Sequence, residues 1–383
     1  MLSFSLSLDQ RLAAALIKRE ASGTRRALAP PPVAGLVDFS SNDYLGLSRH
    51  PALQAAQQVA AAAGSTGSRL LTGDSVAAQA LETRLAHFHR AEAALLFNSG
   101  YTANLGFFAT IPQRGDTILY DADSHASVKE GIHASPATAW SFRHHDLADL
   151  ERKLTRATGT VFVAVEALYS MGGDTAPLAE LAALCQQRGL HLVVDEAHSN
   201  GIYGPLGEGL VVELGLENAV YARILTFGKA LGSQGAAIVG PAVLRDYLVN
   251  FCRAFIYTTA LPPLTIAGLT AAYDLLPILA AEREKLFHLS HYLKVQLHSL
   301  SGLHVPTDSH IIHPVFFTRC PGPEQVRQLA AAVQAAGFDG RAIVAPTVPV
   351  GTERLRLIVH AFNTEEQIEG LAAVLARSAR LTA

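Results

Sequence analysis

Two short stretches of this sequence bring together the residue types that could do chemistry. The first, HLVVDEAHSNG at 191–201, is an apolar segment that runs directly into Asp195 and His198. Such a strand delivers a carboxylate and an imidazole to the carboxyl edge of a sheet, where open α/β folds bind ligands. The second, ILTFGKALGSQGA at 224–236, places Lys229 between a glycine and an alanine, so that little side-chain bulk surrounds its amine. That amine could sit close to a flat ligand.

The pair of Asp195 and Lys229 matches the needs of one cofactor in particular. Pyridoxal phosphate requires an amine that bonds to its aldehyde and a carboxylate against its pyridine nitrogen, so that the ring can accept electrons. Most lone lysines and aspartates are solvated surface residues, which is the alternative here. The glycine beside Lys229 and the DEAHxxG pattern after the strand favour the cofactor.

The same two stretches resemble a known family. TFGKALG and VVDEAH, with SSNDYLGL at 40–47 and PTVPVGTERLRL at 346–357, are similar to the α-oxoamine synthases, which are fold-type I pyridoxal-phosphate enzymes. The resemblance covers nearly the whole chain and implies an acyltransferase that condenses an amino acid with an acyl thioester. It also implies a doubly wound, mostly parallel sheet with a smaller α/β domain, and a homodimer with shared active sites.

Within this family the resemblance points to one pair of substrates. The most similar member condenses L-alanine with a pimeloyl thioester, carried by coenzyme A or an acyl carrier protein, in biotin biosynthesis. A glycine acetyltransferase or a serine acyltransferase is the alternative.

Other classes fit the sequence less well. Aminotransferases share the lysine and the acid but not the SHAS and TERLR motifs, and a serine hydrolase would need a GxSxG motif, which is absent. A silent binding protein on this fold would be expected to have lost Lys229 or Asp195, and both are present.

Length and composition predict more than one domain. With 383 residues, of which 49% are hydrophobic and 16% charged, the chain can bury a large core. We expect an N-terminal arm with part of a small domain at 1–48, a large cofactor-binding domain at 49–285, and a small α/β domain at 286–383.

Charge and cysteine usage exclude several partners. The formal net charge of −3 and the lack of basic runs argue against nucleic acid. Cys185, Cys252 and Cys320 stand far apart, which excludes a CxxC site and indicates reduced thiols. The start lacks the features of a signal peptide, and no apolar run reaches the length of a membrane span. We therefore expect a cytoplasmic protein with no membrane partner.

A glycine turn between a strand and a helix marks the predicted phosphate site. A strand at 93–97 leads into NSGYT, which opens a helix. Free N–H groups and the helix dipole at such a start attract anions. We assign the cofactor phosphate to Ser99, Gly100 and Tyr101, and an ordinary turn is the alternative.

Among five of the histidines, one is a candidate for cofactor binding and the other four are not. His125 follows a strand predicted at 117–122, and the SHAS motif around it matches the histidine that stacks on the cofactor ring in the family that the chain resembles. Four others show no acidic partner in ligand spacing, so we interpret them as surface residues and predict no metal site: His87, His89, His144 and His145.

A further strand, predicted at 160–168, is apolar as expected of a parallel strand covered on both faces. It contains Glu166 near its end, and Ser170 follows. Because a buried charge needs a partner, Glu166 contacts either the cofactor edge or a structural partner. We count Glu166 and Ser170 as cofactor-binding candidates.

The resemblance assigns roles to the residues of the two opening stretches. Lys229 would hold the cofactor and then act as the base. Asp195 would pair with the ring nitrogen and His198 with the ring hydroxyl. Thr226, at the end of the strand before Lys229, is counted with the cofactor-binding residues.

Two hydroxyls lie just before a proline pair that starts a helix, Thr258 and Thr259. They could simply cap that helix. The resemblance implies instead that they reach across the dimer to the phosphate of the neighbouring subunit.

Two residues are candidates for binding the amino acid. Asn42, in SSNDYLGL, is a turn-former by type, but the resemblance places this motif beside the amino-acid substrate. In TERLRL, alternation puts Arg354 and Arg356 on one face of a strand. A guanidinium binds a carboxylate with two hydrogen bonds, and the resemblance selects Arg354 for this role.

The far carboxylate of a pimeloyl chain requires a cation as well. Many members of the family have an arginine directly before their PTVP segment, where this chain has Val344. Arg25 and Arg26 on the N-terminal arm, and Arg341, are the candidates that remain, and we count Arg25 among the substrate-binding residues.

Overall fold

The computed structural model describes residues 7–28, 35–318 and 322–381, and Cys320 lies outside them. The helices, α1 to α14 in chain order, are Leu8–Ala21, Pro51–Gln58, Val76–Phe88, Gly100–Thr110, Ala126–His133, Leu147–Leu154, Leu178–Arg188, Leu210–Glu213, Ala242–Phe251, Arg253–Ile256, Pro263–Leu275, Ala280–His298, Pro323–Ala335 and Glu365–Leu381. The strands, β1 to β13, are Val37–Asp38, Ala93–Phe97, Thr117–Asp121, Thr138–Phe142, Val161–Glu166, His191–Asp195, Ala222–Thr226, Ala236–Gly240, Leu303–His304, Ile312–Phe317, Phe338–Asp339, Arg341–Ile343 and Arg354–Ile358.

The largest sheet has seven strands in the order β2-β8-β7-β6-β5-β3-β4. Its strands are parallel except that β8 runs antiparallel to both of its neighbours, β2 and β7. The segment 227–235 between β7 and β8 is too short for the crossover helix that a parallel return needs, so these two strands pair antiparallel. The predicted fold class, an α/β protein with a doubly wound and mostly parallel sheet, is confirmed.

The core of this sheet is apolar on both faces. Every residue of β5 is buried, as expected of a strand with helices on either side. Aromatic side chains of α4, including Phe107 and Phe108, pack against Phe162 of β5 in one hydrophobic cluster. This packing fixes α4 against the sheet, and with it the start of α4 at the carboxyl edge.

The predicted strands lie close to their predicted positions. The strand at 93–97 is found at those residues, the one at 117–122 ends at Asp121, and the one at 160–168 ends at Glu166. Glu166 is therefore the last residue of its strand, where a side chain reaches the sheet edge.

Helix α2 differs from its prediction. The alanine-rich sequence predicts a helix over 51–63, whereas α2 ends at Gln58 with Val59 as its C-cap. Residues 60–63 are not helical, although alanine is the best helix former. The glycines and serines that follow favour turns over helix and end this helix early.

The chain divides into two compact units. One unit contains residues 42–288 with 360–362, and it carries the seven-stranded sheet. The other contains the described parts of 1–41, 289–359 and 363–383. In this second unit β12, β13, β10 and β9 form a four-stranded sheet in that order, with antiparallel neighbours.

No single helix in the described part of the chain is both long and apolar enough to cross a membrane. Two consecutive helical segments, Pro263–Ile278 and Ala280–His298, meet the length and composition criteria only as a pair, and they are bent by 75° at their junction.

Candidate active site

The carboxyl ends of parallel strands gather the polar side chains of the candidate site. β5 and β6 pair so that Glu166 lies opposite Asp195, and β6 pairs with β7 so that Asp195 lies opposite Ile224. Lys229 is on the loop that follows β7, and His125 is on the loop that follows β3. Strand order therefore brings residues 191–201 and 224–236 to one edge of one sheet.

Asp195 is nearly buried, with 6% of its surface exposed. Its Oδ1 accepts the backbone N–H of Ala197 at 2.9 Å, and its Oδ2 accepts Nδ2–H of Asn104 at 2.7 Å. Each carboxylate oxygen has a second lone pair that can take a further donor. The carboxylate is thus held in one orientation while it keeps the capacity to accept a cationic N–H.

Lys229 lies close to two other members of the site. Burial is the main cause that lowers the pKa of His125, and the positive charge of Lys229 lowers it further. The same charge opposes the rise in the pKa of Glu166. The loop that carries Lys229 needs Gly232, which has a φ of +59°, because a Cβ there would lie 2.1 Å from the backbone N of Ser48.

His125 and Glu166 are joined directly. The backbone N–H of His125 donates to Oε1 of Glu166 at 2.5 Å. Burial, together with the negative charge of Asp195, raises the pKa of Glu166 to about 8, against the opposing effects of Lys229 and of this hydrogen bond. Glu166 can therefore hold or release a proton near neutral pH, and it positions the loop that carries His125.

The start of α4 forms an anion cradle. Ser99 is the N-cap, and its side chain and that of Thr102 make a capping box. Gly100 stands so close to the end of β7 that a Cβ on it would lie 2.3 Å from Oγ1 of Thr226. Tyr101 is half-exposed beside it. Backbone N–H groups and the positive end of the helix dipole are therefore available to a phosphate at this point.

Thr258 and Thr259 lie beside this cradle within the same chain. Nδ2 of Asn98 donates to Oγ1 of Thr258 at 3.2 Å and to the carbonyl oxygen of Thr259 at 2.7 Å. The hydroxyl of Thr258 and the residue before Ser99 are thus neighbours. The predicted role of the two threonines across a dimer stays a prediction.

His198 is buried and belongs to a short polar chain. Its Nδ1 lies 2.6 Å from the hydroxyl of Tyr44, and that hydroxyl donates to Oδ1 of Asn42 at 3.2 Å. The structure therefore connects Asn42, from the SSNDYLGL motif, with His198, from the DEAH motif. Tyr44, which is fully buried between them, carries the connection.

The remaining predicted residues have these positions. Ser170 is partly buried in the turn after β5. Arg354, the first residue of β13, has its guanidinium 4.7 Å from the ring centre of Phe316, and its Nε donates to the carbonyl oxygen of Thr352. Arg25 lies after the end of α1, where it pairs with Glu20 of that helix, and it is half-exposed.

Three of the four histidine predictions are wrong, and only His87 is exposed as predicted. His145 is partly buried, and its Nε2 lies 3.2 Å from Oδ2 of Asp174. His89 is fully buried rather than at the surface: Nδ1 lies 2.8 Å from the carbonyl oxygen of Glu208 and Nε2 lies 2.9 Å from the hydroxyl of Tyr273. Burial lowers its pKa to about 3. His144 does have acidic partners, because strand order brings it between two aspartates that are distant in sequence.

His144 bridges Asp121 and Asp174. Its Nδ1 and Nε2 each lie 2.8 Å from a carboxylate oxygen, of Asp121 and Asp174 respectively. Asp121, His144 and His145 are close enough together to hold a metal ion, with ligand atoms within 4.8 Å of one another. Burial alone would lower the pKa of His144, but its bonds to the two carboxylates outweigh burial and raise it to about 10. Both nitrogens are therefore protonated and donate to carboxylates, which leaves neither for a metal.

Sequence reasoning missed Tyr44, Asn104 and Ser127. Asn104 contacts Asp195, and Ser127 Oγ lies 2.7 Å from Nδ1 of His125. Asn104 gives no signal in the sequence, since it lies mid-helix among apolar residues. Ser127 is the last residue of the SHAS motif and Tyr44 lies in SSNDYLGL, so those motifs were signals that could have found them.

The side chains present fit pyridoxal phosphate. Lys229, after β7, and Asp195, at the end of the neighbouring β6, both lie close enough to His125 to affect its pKa. The start of α4 faces Thr226, and only a glycine fits there at position 100. The acid suits a pyridine N–H, the amine suits an aldehyde, and the helix start suits a phosphate.

Comparison with known proteins is consistent with this geometry. The family model of class I and II aminotransferases matches residues 34–375. A relative from Emericella nidulans, 8-amino-7-oxononanoate synthase, is 42% identical over 96% of this chain and 95% of its own.

Solved structures give the same result. A serine palmitoyltransferase variant from S. paucimobilis with bound PLP is 29% identical, covers 99% of both chains and has a TM-score of 0.90. An 8-amino-7-oxononanoate synthase from Francisella tularensis is 25% identical, covers 91% of this chain and 99% of its own, and has a TM-score of 0.78.

Proposed function

The chain belongs to the class I and II aminotransferase family, and we propose that it condenses L-alanine with a pimeloyl thioester, with loss of carbon dioxide, to give 8-amino-7-oxononanoate. The observation that carries the proposal is the grouping of Lys229, Asp195 and His125 at one sheet edge, in a chain 42% identical to a relative of that name. The amino acid and the acyl thioester are the two substrate classes that follow.

Pyridoxal phosphate, when bound, supplies an aldehyde for an amine and a ring that accepts electrons. Lys229 is the residue that would bond to it, and Asp195 would face its ring nitrogen. The start of α4, with Ser99, Gly100 and Tyr101, would hold its phosphate.

Three residues of this chain have separate roles in the reaction of L-alanine. Lys229, as an unprotonated amine, takes the proton from the α-carbon. Arg354 is assigned the α-carboxylate, because a guanidinium offers two parallel N–H donors. The carboxylate of Asp195 would face the ring nitrogen of the cofactor, where its negative charge would stabilise the positive charge of a protonated ring. Overall the α-carbon forms a bond to the acyl carbon, and the thioester C–S bond breaks to release the carrier thiol, which takes up one proton. The bond between the α-carbon and its carboxylate then breaks to release carbon dioxide, and a proton replaces the carboxylate.

A cationic cavity supports the pimeloyl assignment. In the smaller unit a cavity of about 180 Å³ is lined by Arg25, Arg26 and Arg327, together with Val344 and Thr347. Nη2 of Arg26 donates to Oγ1 of Thr347 at 2.9 Å. Three guanidinium groups around one small cavity suit a carboxylate, which a pimeloyl chain has and an acetyl or palmitoyl chain lacks.

The same cavity accounts for the departure at Val344. Where many family members have an arginine before the PTVP segment, this chain has an apolar side chain that lines the cavity, and Arg327 of α13 faces it from another element. Arg327 was not among the sequence candidates. Arg341, which was, pairs with Asp339 through Nε at 2.8 Å.

A serine acyltransferase is the second candidate, since a serine palmitoyltransferase has the higher TM-score of the two solved structures. Sequence identity argues the other way, at 42% for the relative from Emericella nidulans against 29% for that enzyme. The arginine-lined cavity also favours a substrate with a terminal carboxylate over a long alkyl chain.

Three further features belong to the proposal. The active form is a homodimer in which Thr258 and Thr259 reach the phosphate of the neighbour, and an acyl carrier protein delivers the thioester. The exposed apolar side chains Tyr257 and Phe251, near those threonines, support an interface there. A cytoplasmic location is supported by the free thiols of Cys185 and Cys252.

One assay tests the substrate pair. Pimeloyl, acetyl and palmitoyl thioesters are each supplied with alanine, glycine and serine, and the release of carbon dioxide and of the carrier thiol is measured. We expect alanine with the pimeloyl thioester to turn over fastest. A methyl group in an apolar pocket discriminates by only about 1–3 kcal/mol, so glycine will bind and turnover decides. Faster turnover of glycine with acetyl thioester would overturn the proposal.

Two variants locate the cation. Arg327→Ala should raise the KM for the pimeloyl thioester about tenfold or more and leave that for an acetyl thioester unchanged, because only the former has a far carboxylate. The matched control is Arg377→Ala, on α14 and outside the cavity. If Arg327→Ala and the control had the same KM for the pimeloyl thioester, the cavity would not be the binding site of the far carboxylate.

A further inference from the structure

One buried amide connects the two most important polar groups of the site. Asn104, on α4, is 1% exposed. Its Nδ2 lies 2.7 Å from Oδ2 of Asp195 and 3.1 Å from Oγ of Ser127. Ser127 Oγ in turn lies 2.7 Å from Nδ1 of His125. A continuous chain of hydrogen bonds therefore runs from the acid at the end of β6 to the imidazole after β3.

The direction of each bond in this chain is fixed by the acid. A carboxylate oxygen only accepts, so the NH₂ end of the Asn104 amide must face Asp195. With that end at Asp195, its second N–H points to Ser127, whose oxygen must accept it. The single hydroxyl hydrogen of Ser127 is then left to donate to Nδ1 of His125.

The other end of the amide agrees with this orientation. Oδ1 of Asn104 is buried and has no hydrogen-bond partner among the described residues. An unsatisfied buried acceptor is costly, and turning the amide over would instead set that oxygen against a carboxylate oxygen. The two bonds made by Nδ2 therefore determine how Asn104 lies.

Nδ1 of His125 receives a second donor as well. The backbone N–H of Ser127 points at it from 3.2 Å, which makes His125 the N-cap of α5. A nitrogen that accepts from both a hydroxyl and a backbone N–H carries no proton. In the neutral ring the proton is then on Nε2.

We propose that Asn104 is a positioning residue which, through Ser127, holds His125 as its Nε2–H tautomer and at the same time aims the carboxylate of Asp195. The proposal rests on the proposed function only in treating His125 and Asp195 as members of the active site. The proposal adds Asn104 as a residue that acts through Asp195 and His125. It also identifies Nε2 as the nitrogen of His125 that can donate to a ligand.

The charged groups around His125 act in both directions. Asp195 favours the protonated ring, whereas Lys229, Lys129 and burial disfavour it, and burial is the largest effect. Glu166 accepts the backbone N–H of His125 rather than a ring proton. None of these charges selects between the two neutral tautomers, because that selection needs a directed donor at Nδ1. The backbone N–H of Ser127 and the chain through Asn104 both provide one, at 3.2 Å and 2.7 Å from Nδ1.

The test reads the tautomer of His125 directly in cofactor-free protein. Long-range ¹H–¹⁵N spectra of ¹⁵N-histidine-labelled protein distinguish Nδ1–H from Nε2–H, and His125→Gln identifies the signal among the 16 histidines. In the unmodified protein we expect the Nε2–H form. In Asn104→Asp the new carboxyl group shares one proton with Asp195, because two carboxylates in contact cannot both be ionised. Its other oxygen accepts the Ser127 hydroxyl, so Ser127 Oγ presents lone pairs to Nδ1. The ratio of tautomers in the neutral ring should then shift about tenfold toward Nδ1–H, the effect of one hydrogen bond.

Several outcomes separate the alternatives. A carboxylate that acted by charge alone would raise the pKa of His125 and leave its neutral tautomer unchanged, and that result would overturn the proposal. Asn363→Asp, another buried asparagine in the other unit, controls for general destabilisation.

If Asn104→Asp does not fold, Ser127→Ala removes only the hydroxyl and keeps the Asn104–Asp195 bond. The pKa of His125 should then move toward its ordinary value, and an unchanged titration would reject the chain. Because no substrate or cofactor is present, failure of the proposed condensation leaves this result untouched.

Discussion

Two histidines that follow neighbouring strands have pKa values shifted in opposite directions. β3 and β4 pair in parallel, and His125 follows the first strand while His144 follows the second. Burial lowers the pKa of His125 below its ordinary value. The pKa of His144 is raised to about 10 instead. His125 is more exposed than His144, but both lie at the same sheet edge, so position along the fold does not explain the difference.

The neighbours of each ring explain it. Nδ1 of His125 faces two donors on Ser127, and a cation, Lys229, lies nearby. His144 instead has a carboxylate at each nitrogen, from Asp121 and Asp174. The neutral ring of His125 can lie over a flat cofactor and donate a hydrogen bond from one nitrogen. The protonated ring of His144 donates from both nitrogens to its two carboxylates and has no N–H left for a ligand. The surroundings of His125 therefore suit an active-site residue, and those of His144 suit a residue that holds loops together.

The largest expected effect comes from the cation beside His125. Lys229→Ala should reduce turnover by ~10⁴-fold, the upper end of what a positioned acid–base group contributes. In the cofactor-free variant the pKa of His125 should rise, because a nearby positive charge is gone, while that of His144 should not move. Turnover and histidine NMR titration measure the two effects.

Lys285→Ala, an exposed lysine on α12, is the matched control and should behave as the unmodified protein. Equal displacement of both histidines in Lys229→Ala would show that the two environments are not independent. Borohydride reduction of the loaded enzyme followed by peptide mapping should find the cofactor on Lys229, and attachment at another lysine would refute its role.

The next effect concerns the acid shared by His125 and Glu166. Asp195→Asn keeps the shape and removes the charge, so turnover should fall by ~10²–10⁴-fold. The negative charge of Asp195 helps to raise the pKa of Glu166 to about 8, so that pKa should fall in the variant. A pH titration of Glu166 by NMR checks this, with the exposed Asp246→Asn as control. Unchanged exchange of the α-proton of alanine in Asp195→Asn would contradict the assignment.

Much of the His125 region could be predicted from the sequence. Asp195 and Lys229 each follow an apolar strand, and the strand periodicity that places them at a carboxyl edge is local information. The start of α4 is equally local, since Ser99 and Thr102 form a capping box within one turn. The resemblance to the α-oxoamine synthases is confirmed by relatives with the name 8-amino-7-oxononanoate synthase over most of the chain.

The His144 region could not be predicted, for a physical reason. Asp121 ends β3 and Asp174 lies in the segment after β5, and only the order β5-β3-β4 brings them to either side of His144. Nothing in the spacing of the sequence shows that order. Asn104 could not be predicted for the same reason, because its partners Asp195 and Ser127 belong to other elements.

A smaller effect, on stability, tests His144 itself. His144→Gln should destabilise the protein by about 2 kcal/mol near pH 6, the scale of a hydrogen bond to a charged group. The folded pKa of about 10 is above the ordinary value of 6.5. The stabilisation is therefore complete below about pH 6.5 and is lost as the pH rises through about 10.

The carboxylates set the lower limit of this window. Although burial opposes it, contact with His144 lowers the pKa of Asp121 and Asp174 from 3.8, so their contribution is present above about pH 3.8 and lost as the pH falls below it. Chemical denaturation of cofactor-free protein at about pH 6 and about pH 10.5 measures the difference. A destabilisation of equal size at both values would mean that His144 is not a cation in the folded protein.

The smallest effect is expected at the residue next to His144. His145 stacks on His144 with ring centres 3.7 Å apart, and its Nε2 lies 3.2 Å from Oδ2 of Asp174. Its φ is +57°, a left-handed conformation that costs a residue with a Cβ some stability. Asparagine tolerates this conformation better than most residues.

In His145→Asn the lost stacking and the relieved backbone strain therefore oppose each other, and we expect a change within about 0.5 kcal/mol. The pH dependence of unfolding should remain that of the unmodified protein, because the cation between Asp121 and Asp174 is still His144. The same denaturation series at about pH 6 and about pH 10.5 decides this. If His145→Asn abolished the pH dependence while His144→Gln kept it, the two adjacent histidines would have exchanged roles, and the contrast with His125 would have to be drawn from His145 instead.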